Sequence, residues 1–165
     1  MRKITFKIFL LLFTFGILST AYSQKSYDFD SGLKAAKSQN KKVLVNIYSD
    51  SDKWCSKMDS EVYSNSEIQD IINSNFIYVK LNGLGDTEYT YNGKKYKASD
   101  LAKLLGLTSY PTHAFLNPDG SVIKFKYNGV ESSSFPGYAD LNDFKNILIY
   151  FKDGKYKDTD LSTVL

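Results

Sequence analysis

The stretch VLVNIYSDSDKWCSKMDSEV, Val43 to Val62, decides how the rest of the chain is read. It opens on an apolar, largely β-branched run, Val43-Leu44-Val45 and Ile47, of the length and composition of a buried strand. Ser49-Asp50-Ser51-Asp52 then reads as a polar turn. Beyond it Cys55, Met58 and Val62 recur at spacings of three and four, the spacing of one helical face. A strand, a tight turn and a helix with Trp54-Cys55 near its start are therefore expected here.

Working outward, Tyr27 to Gln39 predicts a first helix, with Asp28 or Asp30 as its cap and Phe29, Leu33 and Ala36 on one face. The helix after the turn is expected over about Lys53 to Tyr63. Ser64 with Glu67 three residues on has the capping-box pattern for a further helix carrying Ile68, Ile71 and Ile72. Phe76–Leu81 alternates as a second strand. Asn92-Gly93, flanked by Tyr89, Tyr91 and Tyr96, signals a two-residue hairpin. Ser99 is expected to cap a short helix with Leu101, Leu104 and Leu105 inward, closed by Gly106. Thr112–Leu116, the turn Asn117-Pro118-Asp119-Gly120 and Val122–Tyr127 read as a strand and its returning partner. Ser132 to Tyr138 reads as a loop. Asp140 caps a last helix with Leu141, Phe144, Leu148 and Phe151 on one face, and the polar tail after Lys152 is expected over the surface.

Strand, turn and helix with Trp-Cys at the helix start, followed far downstream by Ser109-Tyr110-Pro111-Thr112 before another apolar run, resemble the thioredoxin superfamily. The likeness is to its secreted bacterial thioredoxin-related branch and covers roughly Tyr27 to Phe151. It implies an α/β thioredoxin-like fold, a central mixed sheet flanked by helices, with a cis proline at Pro111. It also implies thiol-redox chemistry. The chain has a single cysteine, so the family's Cys-x-x-Cys pair is absent and the site is degenerate.

Two registers remain open for Cys55. If Trp54-Cys55 is the family's Trp-Cys, Cys55 is the nucleophile and Met58 stands at the resolving position, at the cost of about three extra residues in the turn. If the strand is followed without a gap, Cys55 falls on the second family cysteine and Asp52 on the first. The run from Cys55 to Val62 favours the second register, because relatives of this branch continue so after their second cysteine. In that register the family's buried strand acid is matched by Asn46, which cannot titrate. Asp52 is a good cap residue but cannot attack a disulfide. A buried Cys55 would have a raised pKa and little reactivity.

The N-terminus adds a location. Arg2, Lys3 and Lys7 precede an apolar run from Ile8 to Leu18, and Ala21-Tyr22-Ser23 places small residues at −3 and −1 before Gln24. That is the pattern of a cleaved signal peptide over residues 1–23, too short to span a bilayer. No cysteine stands at the cut for a lipid anchor. The remaining 142 residues make one domain, 24–165, directed to the periplasm or outside the cell. The precursor's net charge of +3 lies wholly in the leader, which removes any argument for nucleic acid or an anionic membrane.

Other groups carry less. His113 has no Cys or carboxylate at ligand spacing, so no metal is expected, and no cofactor is expected either. A Cys55–His113 nucleophile pair is opposed by a strand that carries His113 away from the helix. Asp50, Asp52 and Asp59 fit no calcium loop. Tyr89, Tyr91 and Tyr96 suit a cross-strand aromatic cluster better than a binding platform. Two functions follow. One is monothiol redox chemistry through Cys55, by mixed disulfides. The other is a non-enzymatic module holding an extended protein or peptide segment against Asp52, Trp54, Tyr110 and Pro111.

Overall fold

The computed structural model describes residues 24–165; the expected leader over 1–23 lies outside the described residues. Strand β1 (Lys42–Tyr48) forms where the β-branched run stood, and its five central residues are buried. It pairs in parallel with β2 (Phe76–Asn82) and antiparallel with β5 (Thr112–Leu116), which in turn pairs with β8 (Ser134–Pro136). A strand bonded on both edges and covered on both faces reads as a near-continuous apolar run, as this one does.

Alternation along the strands divides the core. Val43, Val45, Ile47, Val79, Ala114 and Leu116 face α1 (Phe29–Gln39) and α4 (Ala98–Leu104). Leu44, Tyr78 and Phe115 face α3 (Ser66–Asn75) and α5 (Leu141–Lys152). Asp28 caps α1 through the Ser31 N–H. Asp30 instead accepts from the Thr90 N–H and ties α1 to the hairpin β3–β4 (Glu88–Tyr91, Lys94–Lys97). In that hairpin Tyr91 is buried against Phe29 and donates to the Gly120 carbonyl at 3.1 Å. The tyrosines are thus packing elements.

Helix α2 (Lys53–Met58) runs on into a π-helical turn, Asp59–Tyr63. The wider turn brings two successive residues, Val62 and Tyr63, inward together. Asn65, not Ser64, caps α3, accepting from the Glu67 and Ile68 N–H groups. The Ser64 hydroxyl is spent on the Ser60 carbonyl one turn back. Ser99 does not cap α4 either. The carbonyls of Thr87 and Gly85 accept from Ala98 and Ser99, so backbone does the capping. Leu104 is turned outward, 53% exposed, because Ala98, Leu101, Ala102 and Leu105 take up the inward face.

The expected strand Val122–Tyr127 is split. Ile123 donates to the Phe115 carbonyl and Val122 bridges Leu116, but the chain then leaves β5. Phe125–Tyr127 (β6) pairs with Val130–Ser132 (β7) around Asn128-Gly129, and the expected loop at 132–138 contains β8, which returns to β5. The tail is not merely laid over the surface. Leu161 is fully buried, and Tyr156 stacks on Phe151.

His113 lies in β5, fully buried against Tyr63, Phe135 and Phe144. Burial pulls its pKa from 6.5 down to about 4. Between those values the unfolded chain holds the extra proton, so stability falls as pH drops from about 6.5 towards 4 and is level above. The loss should total roughly 3 kcal/mol, and denaturant melts of His113→Phe should lack that slope. An unchanged slope would refute the assignment.

Candidate functional site

The site is assembled where β1 ends. The Asp52 N–H donates to the Ser49 carbonyl at 3.2 Å, closing the polar turn and turning the chain into α2. Asp52 itself has extended backbone angles, and its Oδ1 accepts from the N–H groups of Trp54 (2.9 Å) and Cys55 (3.0 Å). A carboxylate placed there satisfies donors that the helix cannot, and it complements the helix dipole. Those N–H groups are the ones that would otherwise stabilise a thiolate.

Cys55 lies three residues inside, on the face it shares with Met58 and Val62, and is 6% exposed. Burial first, and the Asp52 and Asp59 carboxylates with it, pushes its thiol up to about 11. Beneath it, Asn46 occupies one register row with Lys80 of β2 and His113 of β5. The Asn46 amide donates to the Tyr78 hydroxyl at 3.0 Å. Neither His113 nitrogen has a partner among the described residues, so no Cys55–His113 hydrogen bond forms. No three potential metal ligands come together among the described residues. Asp50, Asp52 and Asp59 are dispersed to Asn82, the helix cap and Lys80 respectively.

Above this row runs a groove of about 340 Å³ lined by Trp54, Ser109, Tyr110, Gly137 and Tyr138. Pro111, joined to Tyr110 by a cis peptide, is buried, and its carbonyl accepts from the Gly137 N–H at 2.7 Å. Thr112 Oγ1 donates to the Ser109 carbonyl at 2.6 Å and holds the loop. Trp54 is 42% exposed, with its ring 5.6 Å from Tyr138 and the Lys53 and Lys57 ammonium groups each 5.4 Å from its centroid. Of the residues singled out from the sequence, Trp54 and Tyr110 line this groove; Asp52 caps the helix that carries Trp54, and Pro111 follows Tyr110 in the chain.

The sequence reading missed Tyr138 and Gly83. The Tyr138 hydroxyl donates to Glu61 at 2.8 Å, which fixes one wall. A Cβ on Gly83 would stand 2.5 Å from Tyr110 Oη, so the bare glycine lets the Tyr110 ring lie down. Neither carries a local signal; both depend on segments distant in sequence.

A sequence model of the thioredoxin-like domain matches residues 29–152. The chain belongs to that family. Among solved structures, the thioredoxin-like chain is similar to a thioredoxin from Thermus thermophilus (17% identity, 79% of this chain and 88% of that one, TM-score 0.56). It is also similar to a thioredoxin-fold protein from Helicobacter pylori (20%, 86% and 84%, 0.57) and to a putative disulphide-isomerase from Bacteroides thetaiotaomicron (22%, 83% and 95%, 0.56). At these identities the likeness is one of fold. No curated protein matches the sequence. The fold is thus thioredoxin-like, a mixed four-stranded sheet with helices on both faces, carrying one cysteine in place of a pair.

Asp52→Ala should remove two capping bonds and lower stability by about 1 kcal/mol, whereas Asp52→Asn should keep most of it. Urea midpoints of the two variants check this; equal losses would mean that charge, not capping, is what Asp52 contributes.

Proposed function

We propose that this is an exported thioredoxin-like binding module, which holds an extended segment of a partner protein in the groove of Trp54, Tyr110, Pro111 and Tyr138 without dithiol chemistry. The observation that carries this is Asp52. Its carboxylate fills the helix start with two short hydrogen bonds, in the position where a redox thioredoxin needs its attacking sulfur. The register without a gap is the one this favours, with Cys55 as the second, inward cysteine. Its thiol, near 11, would be thiolate in only roughly one molecule in ten thousand at neutral pH.

Holding a segment needs no sulfur. Among the described residues the Tyr110 main chain makes no backbone hydrogen bond, which leaves a donor and an acceptor beside the groove for an extended chain. Trp54 and Tyr138 supply apolar surface of the kind that anchors interfaces. Export rests on the leader pattern at residues 1–23, and places the module in the periplasm or outside the cell. Among the described residues no helix is long and apolar enough to cross a membrane.

Alkylation of Cys55 across pH, followed by intact mass, tests the chemistry. Labelling should be slow in the native protein and become fast only on unfolding. Fast native labelling with an apparent pKa below the free-thiol value of about 8.5 would put monothiol redox chemistry in the lead instead. For the groove, panning a displayed library of extended peptides on the mature protein should enrich binders that Trp54→Ala loses. Failure to enrich any, or binders indifferent to Trp54, would reject the groove.

A further inference from the structure

Two Asn–Gly turns offer a controlled comparison inside one molecule. Asn92-Gly93 closes β3–β4 and Asn128-Gly129 closes β6–β7, each pair fully at the surface. Their backbones agree, with φ of 51° at both asparagines and 77° at both glycines. Their surroundings do not. Asp160, from the C-terminal tail, accepts from the Asn128 N–H at 3.1 Å with one carboxylate oxygen and from the Gly129 N–H at 2.7 Å with the other. Among the described residues the Gly93 N–H has no such partner.

The difference bears on a reaction that the dipeptide can perform unaided. The glycine nitrogen gives up its proton to solvent and attacks the asparagine Cγ. The new N–Cγ bond forms as the carboxamide C–N bond breaks, and the nitrogen of the side chain leaves as ammonia. The five-membered imide that results adds one water at either carbonyl and opens to aspartate or isoaspartate. No oxidant or reductant is involved. Glycine suits the attack because no side chain crowds its nitrogen.

At Gly129 this sequence is opposed twice. Its N–H is held in a short, charge-assisted bond, and losing that proton would leave an amide anion against a carboxylate. The second oxygen pins Asn128 in its left-handed conformation, away from the rotation that attack requires. At Gly93 neither restraint exists. We propose that Asn92 is a deamidation site, converted with solvent water to aspartate and isoaspartate, and that Asn128 is protected from the same reaction by Asp160.

The product has a structural reach. Isoaspartate lengthens the backbone inside a two-residue turn that sets the pairing of Tyr89 with Tyr96 and of Glu88 with Lys97. Tyr91, one residue before it, loses the geometry that presents its hydroxyl to Gly120.

The folded full chain is incubated at mildly alkaline pH, and peptides spanning each turn are followed by mass over time. Conversion at Asn92 should outpace that at Asn128 by about tenfold or more, the scale of a hydrogen bond to a charged group. Equal rates, or a faster Asn128, would overturn the proposal, and this comparison needs no variant. Asp160→Ala should then raise the Asn128 rate towards that of Asn92 and leave Asn92 unmoved. An Asn128 rate that does not respond would remove Asp160 as the protecting group.

Discussion

Everything in this molecule hangs on β1. It is hydrogen-bonded to β2 on one edge and β5 on the other, and apolar side chains cover it on both faces. Each such side chain removed from water is worth about 1.5–3 kcal/mol, so the four buried apolar residues Val43, Leu44, Val45 and Ile47 hold the strand in one register. Because β1 cannot shift, neither can its C-terminal end. The turn at 49–52 therefore delivers Asp52 to the start of α2 in one place, and α2 delivers Trp54 outward and Cys55 inward.

The chemistry follows from that placement. One row across the sheet carries Lys80, Asn46 and His113, and α2 with its π-helical extension closes over it. Asn46 does not titrate, and His113 is held neutral by burial. The thiol is shielded from water and faces carboxylates. Each of these features opposes charge separation behind the groove, while the groove itself keeps an exposed aromatic wall and a loop with spare main-chain groups. These features are the ones on which the proposed binding role rests.

The β6–β7 hairpin interrupts the strand that would otherwise run beside β5 throughout, and β8 resumes the pairing after it. The tail answers this insertion. Asp160 bonds the hairpin turn and also caps its own short helical turn through Ser162, while Leu161 and Tyr156 close over the core near Phe151. Hairpin and tail are joined by the Asp160 carboxylate and by a backbone bridge between Lys126 and Asp160.

What could be read without a structure was local. The β-branched run, the caps Asp28 and Asp140, the Asn92-Gly93 turn and the apolar faces of α1 and α5 all state their conformation in neighbouring residues. The thioredoxin order and the lone cysteine were legible for the same reason. Asn128-Gly129 carries the same local signal as Asn92-Gly93, just beyond the strand expected over Val122–Tyr127. The rest was decided at a distance. Asn65 displaced Ser64 as a cap because a nearby carbonyl claimed the serine hydroxyl, and Leu104 turned outward because the sheet filled the other face. Gly83 beneath Tyr110, Glu61 on Tyr138, and the burial that raises the Cys55 thiol pKa join segments tens of residues apart. Sequence thus determined which elements form, since propensity and capping act over a few residues. Tertiary structure alone decided what the site can do, because exposure, proton affinity and groove shape are properties of packed neighbours.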